Sequence, residues 1–183
     1  MSLADKWAEI IYRMAMDKSK LKTMMTPVTI ILWFGLSVLF VLASLWLDEL
    51  LPLRLSLSPP ANILLSLLPL IIGATLILPT IYSFIRASGS PVPFNPPKNL
   101  ITTGFNSQIR NPMLLGWIIM LFGVGILLNS ISVIFIFAPL FICLNYVYLK
   151  TIEEKEMEKK FGEAYVKYKE SVPMFIPRFK KRK

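Results

Sequence analysis

The centre of the chain is dominated by "RNPMLLGWIIMLFGVGILLNSISVIFIFAPLFICLNYVYLK" (residues 110–150), in which 39 uncharged residues lie between an arginine and a lysine. A helix that crosses the hydrocarbon core of a bilayer needs about 20 apolar residues, so the stretch has room for two spans if they are joined tightly. Asn129-Ser130, near its middle, is the plausible turn. We therefore predict a hairpin of membrane-spanning helices over residues 112–128 and 131–149.

Two further uncharged stretches precede this hairpin, at residues 27–47 and 55–85, and each is long enough for one span. The whole chain is 55% hydrophobic, with a mean hydropathy of +0.60. That composition is too apolar for an ordinary soluble domain. The sequence thus predicts an all-α integral membrane protein, a single domain over 1–183 with four transmembrane helices, the first two at 27–47 and 61–85.

The positive charge is distributed unevenly along the chain, which carries a net charge of +9. Of the 20 Lys and Arg residues, only Arg54 falls in the first interhelical loop, and four spans would place the other nineteen on one side. The positive-inside rule makes that side cytoplasmic, so both termini are expected there. Topology thus accounts for the charge without nucleic acid as a partner, while the terminal "RFKKRK" is expected to attract anionic lipid headgroups.

Three segments outside the spans are predicted to have structure of their own. Apolar residues at helical spacing predict an amphipathic helix on the membrane surface over residues 1–24. Residues 86–111 are long for a structureless connection, so an ordered loop over the bundle is expected. A cytoplasmic helix is predicted over 152–171, supported by the i,i+4 pairs Glu156–Lys160 and Glu163–Lys167.

Metal-dependent and disulfide-stabilised classes are disfavoured by the composition. The chain has no histidine, and its one cysteine, Cys143, lies inside a predicted span. No cluster of acidic or thiol ligands replaces the histidine, so no metal site is expected. A zinc or di-iron membrane enzyme is therefore excluded.

The start of the third predicted span carries an arginine and a capping residue, Arg110-Asn111-Pro112. Asn is a favoured N-cap and Pro a favoured first helical residue, so the helix is predicted to begin at Pro112. The free N–H groups of such a helix start favour a negative group, and Arg110 adds a full charge. The alternative is that Arg110 satisfies the positive-inside rule without any ligand.

Two adjacent carboxylates, Glu153 and Glu154, follow the fourth predicted span. Carboxylates are unusual there because a helix C-terminus prefers cations. In a tight hairpin the start of the third span and the end of the fourth are neighbours, so Arg110 would face these glutamates across a cytoplasmic cleft. The alternative is a solvated charge run, an interpretation that suits Glu156 and Glu158.

These motifs together resemble the isoprenylcysteine carboxyl methyltransferase superfamily, which includes phospholipid-methyltransferase-like proteins. "GFNSQIRNPMLLG" and "EEKEMEKKFGEAYVKYKESVPMFIPR" carry the resemblance, and "SPVPFNPPKNLITTG" is similar to its prokaryotic branch. The resemblance covers about residues 86–178. The matching positions are Leu100, Gly104, Arg110, Pro112, Met113 and Gly116 in the first half, and Glu153, Glu154, Phe161, Gly162, Tyr165, Tyr168, Val172 and Pro173 in the second.

The resemblance implies a membrane enzyme that transfers a methyl group from S-adenosylmethionine to a lipid or lipophilic acceptor, in the plasma membrane if the protein is prokaryotic. It also implies a cytoplasmic cofactor pocket between the loop, the last two spans and the C-terminal helix. The residues expected to line that pocket are Lys98, Asn99, Leu100, Ile101, Asn106, Asn111, Pro112, Met113, Leu114 and Glu153. Arg110, Glu153 and Glu154 are the expected catalytic residues, and Arg110 and Lys150 are expected to bind substrate.

The residue types fit this chemistry. Glu153 and Glu154 can hold the cofactor's ammonium or ribose hydroxyls, and the helix start at Pro112 can hold its carboxylate. Methyl transfer needs mainly positioning and exclusion of water. An amine acceptor must also lose a proton, for which Glu154, Glu153 or Tyr146 are the candidate bases.

The chain departs from the family pattern at several pocket positions. Phe105-Asn106, Gln108 and Leu114 stand where the family commonly has Pro-Tyr, an aromatic residue and a tyrosine. Leu149 stands at the position of a substrate-binding arginine, which makes a prenyl-cysteine carboxyl substrate doubtful. Two other functions stay open: a non-catalytic scaffold or lipid-binding protein that keeps the fold, and an NADPH-dependent membrane reductase.

Overall fold

The structure, a computed structural model, describes residues 3–16, 20–52, 54–87, 97 and 99–176. These residues form helices joined by short connections, with no strand among them, which confirms the all-helical class. A single 3-10 turn lies at Gly104–Ser107. The helices are α1 Leu3–Met16, α2 Lys20–Leu50, α3 Ala61–Arg86, α4 Pro112–Leu127, α5 Val133–Phe161 and α6 Glu163–Ser171.

Two of the described helices are long and apolar enough to cross a membrane, α3 with 26 residues and α5 with 29. At 1.5 Å per residue they measure about 39 Å and 44 Å, more than the hydrocarbon core requires. Helix α4 is apolar but has only 16 residues, about 24 Å. Helix α2 has 31 residues and carries the uncharged stretch 27–47, but several side chains of its first half lie outside the description. Crossings by α2 and α4 therefore stay predictions.

Helices α3 and α4 pack with their backbones in contact, through glycines on both sides. A Cβ atom on Gly73 would lie 2.6 Å from the carbonyl oxygen of Gly116, and one on Gly116 would lie 2.7 Å from that of Gly73. Further along α4, a Cβ atom on Gly123 would lie 3.0 Å from the Leu70 side chain. Small residues of this kind let helices approach closely where no hydrophobic effect drives their association. The glycines therefore allow α3 and α4 to pack with their backbones in direct contact.

The turn between α4 and α5 is held by a buried carboxylate from α2. Asn129 has a φ of 53°, and Ser130 follows it just before the next helix. The Ser130 hydroxyl donates to Asp48, whose other carboxylate oxygen accepts from the Ser132 N–H at 2.9 Å. Through these two hydrogen bonds Asp48, which is only 3% exposed, acts as an N-cap from a distant part of the chain and ties α2 to the hairpin.

The first predicted helix, over 1–24, is described only in part. Helix α1 spans Leu3–Met16 and α2 begins at Lys20, while residues 17–19 lie outside the described residues, so a single helix over 1–24 stays a prediction. Helix α1 lies against the end of α5, where Asp5 pairs with Lys155 and Glu9 with Lys159 at 2.6 Å. Charge pairing with the chain itself therefore accounts for its acidic residues.

The predicted cytoplasmic helix over 152–171 is divided in two at Gly162, and its first part continues α5. Helix α5 continues without interruption to Phe161, through π-helical segments at Val133–Phe137 and Leu149–Glu153. The break comes at Gly162, with φ 57° and ψ −137°, a backbone conformation that glycine adopts far more readily than other residues. Helix α6 then folds back and ends at Ser171.

The predicted loop over 86–111 is described only in part. Helix α3 extends to Arg86, while residues 88–96 and Lys98 lie outside the described residues. The remainder contains the buried Pro97 and the 3-10 turn, in which Asn106 is buried. The part of the loop nearest α4 is therefore packed against the bundle.

Candidate functional site

The carboxylate of Glu154 is the centre of the charged cluster at the start of α4. Arg110 Nη1 lies 2.9 Å from Glu154 Oε1, Lys169 Nζ lies 3.0 Å from Oε2, and Lys150 Nζ lies 3.5 Å from Oε1. The Arg110 and Glu154 side chains are 8% and 7% exposed, whereas Lys150 is 42% exposed. The structure therefore brings Arg110 and Glu154 together in a buried ion pair, which the hairpin predicted from the sequence.

The chain after α6 holds this cluster in place through its backbone. The Arg110 N–H donates to the Pro173 carbonyl at 2.9 Å, and the Asn111 N–H donates to that of Met174 at 3.3 Å. On the other side, the Tyr168 hydroxyl donates to the Asn106 carbonyl at 2.6 Å. The segment before α4 is thus hydrogen-bonded to α6 and to the residues that follow it.

The tyrosines of α6 act as neutral hydrogen-bonding groups. Burial, more than any neighbouring charge, raises the pKa of Tyr165 to about 12 and that of Tyr168 to about 12. The Tyr165 hydroxyl accepts from Arg110 Nη1 at 3.5 Å. Hydrogen bonds to Glu158 and Glu154 raise the pKa of Lys169. Lys169 therefore stays charged and the phenols stay protonated at neutral pH.

The predicted side-chain cap of α4 is absent. Helix α4 begins at Pro112, as expected, but Asn111 has φ −124° and ψ 60° and its side chain makes no capping hydrogen bond. The physical reason is that its backbone N–H is drawn to Met174 by the pairing with the C-terminal segment. Capping by Asn111 was therefore a wrong prediction, because a tertiary contact outweighed the local preference.

Glu153 contrasts with its neighbour Glu154. Its carboxylate makes no ion pair or hydrogen bond with any other described residue, although it is largely shielded from solvent. It interacts electrostatically with both Glu154 and Arg110. A partly buried carboxylate without a partner, next to one that three cations neutralise, is available for a cationic ligand.

Two further polar groups on α5 are buried without hydrogen-bond partners. Glu156 is 0% exposed, and neither of its carboxylate oxygens is hydrogen-bonded in the described structure. The hydroxyl of Tyr148 is likewise buried and unpartnered. The expected Glu156–Lys160 pair is not formed, because Lys160 instead donates to the Pro97 carbonyl at 2.9 Å. Describing Glu156 as part of a solvated charge run was therefore wrong.

The other predicted site residues occupy varied positions. Asn99 is exposed and Ile101 is partly buried. Leu100 packs against the buried cluster of Tyr165, Tyr168 and Val172. Met113 is partly buried, and Leu114 packs against the apolar core of α4 and α5. The remaining predicted residue, Lys98, lies outside the described part of the chain.

An open cleft of about 290 Å³ lies where the end of α3 meets the 3-10 turn. Asn106 is the one predicted cofactor residue in its lining. Phe105 and Gln108, two of the positions at which the sequence departs from the family pattern, also line it. The complete lining is Pro79, Thr80, Ser83, Gly104, Phe105, Asn106 and Gln108.

Three residues of this region were missed as functional candidates: Lys169, Glu156 and Tyr148. Lys169 lies on a separate helix, and only the turn at Gly162 brings it to Glu154. Glu156 has a lysine four residues later, which is the usual pattern of an exposed pair. Tyr148 could have been suspected, since a tyrosine at the end of an apolar span needs a partner for its hydroxyl.

Comparison with known proteins identifies the family. No curated protein matches the chain. The sequence model of the phospholipid methyltransferase family matches residues 61–164, which is more than half of the 183 residues. The match begins at α3, outside the motifs that carry the resemblance, and it includes Arg110, Glu153 and Glu154. It confirms the resemblance to the superfamily, and with the two long apolar helices it identifies an integral membrane protein. The chain belongs to the phospholipid methyltransferase family, a family of membrane methyltransferases.

Proposed function

We propose that the protein transfers a methyl group from S-adenosylmethionine to a lipid or lipophilic small-molecule acceptor. The observation that carries the proposal is the pair of unlike carboxylates, Glu154 neutralised by three cations and Glu153 without a partner. S-adenosylmethionine bears a positive sulfonium and an ammonium, so a pocket for it needs free negative groups. When bound, it supplies a methyl group activated by the positive sulfur.

The residues of the site divide by role in this proposal. Glu153 would bind a positive group of the cofactor. Arg110 and Glu154 would hold the start of α4 and the end of α5 in register, which makes them positioning residues. Exposed Lys150 would attract an anionic acceptor headgroup. The proposed lining of the cofactor pocket remains Lys98, Asn99, Leu100, Ile101, Asn106, Asn111, Pro112, Met113 and Leu114.

Whether the reaction needs a catalytic base depends on the chemical group that accepts the methyl. A carboxylate acceptor needs no base, whereas an amine acceptor must lose a proton before or during transfer. Glu154 is poorly suited to accept it because Arg110, Lys150 and Lys169 stabilise its charged form. Glu153 has no such partner in the described structure and is the better candidate.

The proposed arrangement in the membrane follows from the distribution of positive charge along the chain. Four crossings would place both termini, and the site at the Arg110 end of α4, on the cytoplasmic side. The basic C-terminal residues would then bind anionic lipid headgroups. A lipid acceptor could reach the site from the bilayer without leaving it.

Titration of the detergent-purified protein with S-adenosylmethionine and S-adenosylhomocysteine tests this function. We expect saturable binding by calorimetry and a ligand-dependent rise in the unfolding temperature. Glu153→Gln should weaken binding at least tenfold, whereas Glu163→Gln, a control at a side chain that is 93% exposed, should not. Folded protein that binds neither compound at millimolar concentration would refute the methyltransferase proposal and favour a scaffold.

A further inference from the structure

Two residues of α5, Glu156 and Tyr148, have buried polar atoms without hydrogen-bond partners in the described structure. Glu156 is fully buried with both carboxylate oxygens unpaired, and the Tyr148 hydroxyl is buried and unpaired as well. Native structures leave few such groups, and each costs stability unless a ligand, water or ion satisfies it. The proposed roles of Arg110, Glu153 and Glu154 do not use either residue.

The π-helical segment Leu149–Glu153 sets the relative orientation of these two side chains. In a regular α-helix, residues eight apart differ by about 80° around the axis. A π-helical turn accommodates one extra residue. The directions of Tyr148 and Glu156 around the helix axis then differ by only about 20°, so the two residues lie on the same face, two turns apart. Glu153, between them in sequence, interacts electrostatically with both. One face of α5 therefore presents a phenol and two carboxylates without hydrogen-bond partners.

The charged residues around this face do not neutralise it. Lys160, one turn beyond Glu156, exerts an electrostatic effect on it but donates its hydrogen bond to Pro97. From α1, Asp5 and Glu9 face Lys155 and Lys159. Arg110 pairs with Glu154. These cations form their hydrogen bonds and ion pairs with other groups, and none of them is hydrogen-bonded to a Glu156 carboxylate oxygen.

We propose that Glu156 and Tyr148, together with Glu153, bind the organic cation carried by one of the two reactants. An aromatic ring and carboxylates are the groups that recognise sulfonium and ammonium ions, through cation–π attraction and charge pairing. The cation belongs either to S-adenosylmethionine or to an amine-bearing lipid acceptor. This inference rests on the proposed methyltransferase function and adds two binding residues to it.

The test compares Glu156→Gln and Tyr148→Phe with wild-type protein and with the control Glu163→Gln. The apo proteins are first compared by thermal unfolding. Glu156→Gln should unfold at the same temperature as wild type or higher, because neither Glu156 carboxylate oxygen has a hydrogen-bond partner that the substitution could remove. A marked fall in its unfolding temperature would mean that Glu156 has a structural partner, and would overturn the inference.

Three ligands then distinguish the source of the cation: S-adenosylmethionine, S-adenosylhomocysteine, which lacks the sulfonium but keeps the ammonium, and a phospholipid with a primary ammonium headgroup in nanodiscs. We expect Glu156→Gln to lose at least tenfold in affinity for one or more of them, and Tyr148→Phe to lose a smaller factor. Loss for S-adenosylmethionine alone assigns the sulfonium, and loss for both nucleosides assigns their ammonium. Loss for the lipid alone assigns the acceptor.

The result that overturns the inference is unchanged affinity of folded Glu156→Gln for all three ligands, while wild type binds S-adenosylmethionine. Failure of wild type itself to bind S-adenosylmethionine is a different result, which refutes the proposed function and this inference with it. The two failures are therefore distinguishable in one set of titrations.

Discussion

Glu154→Gln removes the charge on which Arg110, Lys169 and Lys150 converge, and it should destabilise the protein strongly. Gln keeps the size of the side chain, so the change isolates the charge. The Arg110 guanidinium, 8% exposed, would remain buried without a counter-charge. Breaking a buried pair on one side in this way typically costs about 3–5 kcal/mol.

The contributions of the two lysines to this loss are smaller. Lys169 and Lys150 are 32% and 42% exposed, so each pair with Glu154 is worth at most about 1 kcal/mol. Arg110 therefore dominates the loss, and the unfolding temperature should fall by about 6–20 °C for a protein of this size. Lys150→Gln, which removes only an exposed partner, should cost less than about 1 kcal/mol.

Denaturant unfolding in a defined detergent, followed by far-UV circular dichroism, measures these differences. A double-mutant cycle with Arg110→Gln separates the pair from its surroundings, and its two single variants should be strongly non-additive. If Glu154→Gln unfolds within 0.5 kcal/mol of wild type, as is usual for surface substitutions, the cluster is not structural. If that stable variant also lost cofactor binding, Glu154 would be a ligand-binding residue instead.

Three further substitutions test other parts of the structure by the same unfolding measurement. Asp48→Ala should cost about 2–4 kcal/mol, because it leaves the Ser130 hydroxyl and a buried backbone N–H without an acceptor; a loss below 1 kcal/mol would contradict the remote cap. Gly116→Ala should cost about 1–3 kcal/mol, because its Cβ would meet the Gly73 carbonyl oxygen at 2.7 Å, and an unchanged stability would show that α3 and α4 can separate freely. Asn111→Ala should cost less than 0.5 kcal/mol, since its side chain makes no capping bond; a loss near 1 kcal/mol would restore the cap.

The ion pair at the site could be predicted from the sequence because it depends on one simple constraint. An uncharged stretch with a single turn near its middle brings its charged ends together, whatever the details of packing. Arg110 and Glu154 lie 2.9 Å apart for that reason. The family motifs added the function but were not needed for this geometry.

Other features could not be predicted from the local sequence, because contacts with distant segments determine them. The burial of Glu156 depends on packing around the end of α5 that the local charge pattern does not reveal. The missing cap at Asn111 depends on Met174, more than sixty residues later. The break at Gly162 had a local signal, a glycine in a helical pattern, but the apolar periodicity continued past it and favoured one helix.

The two adjacent glutamates show how environment assigns different tasks to identical side chains. Glu154 points to Arg110 and to Lys169 of α6, so its charge is fixed and its role is to hold elements together. Glu153, one residue earlier, has no counter-ion in the described structure. A site for a cationic cofactor needs both kinds: a saturated pair that resists rearrangement, and a carboxylate that the ligand alone can neutralise. This division makes Glu153→Gln and Glu154→Gln the informative pair, because the first should affect ligand affinity with little loss of stability and the second should do the reverse.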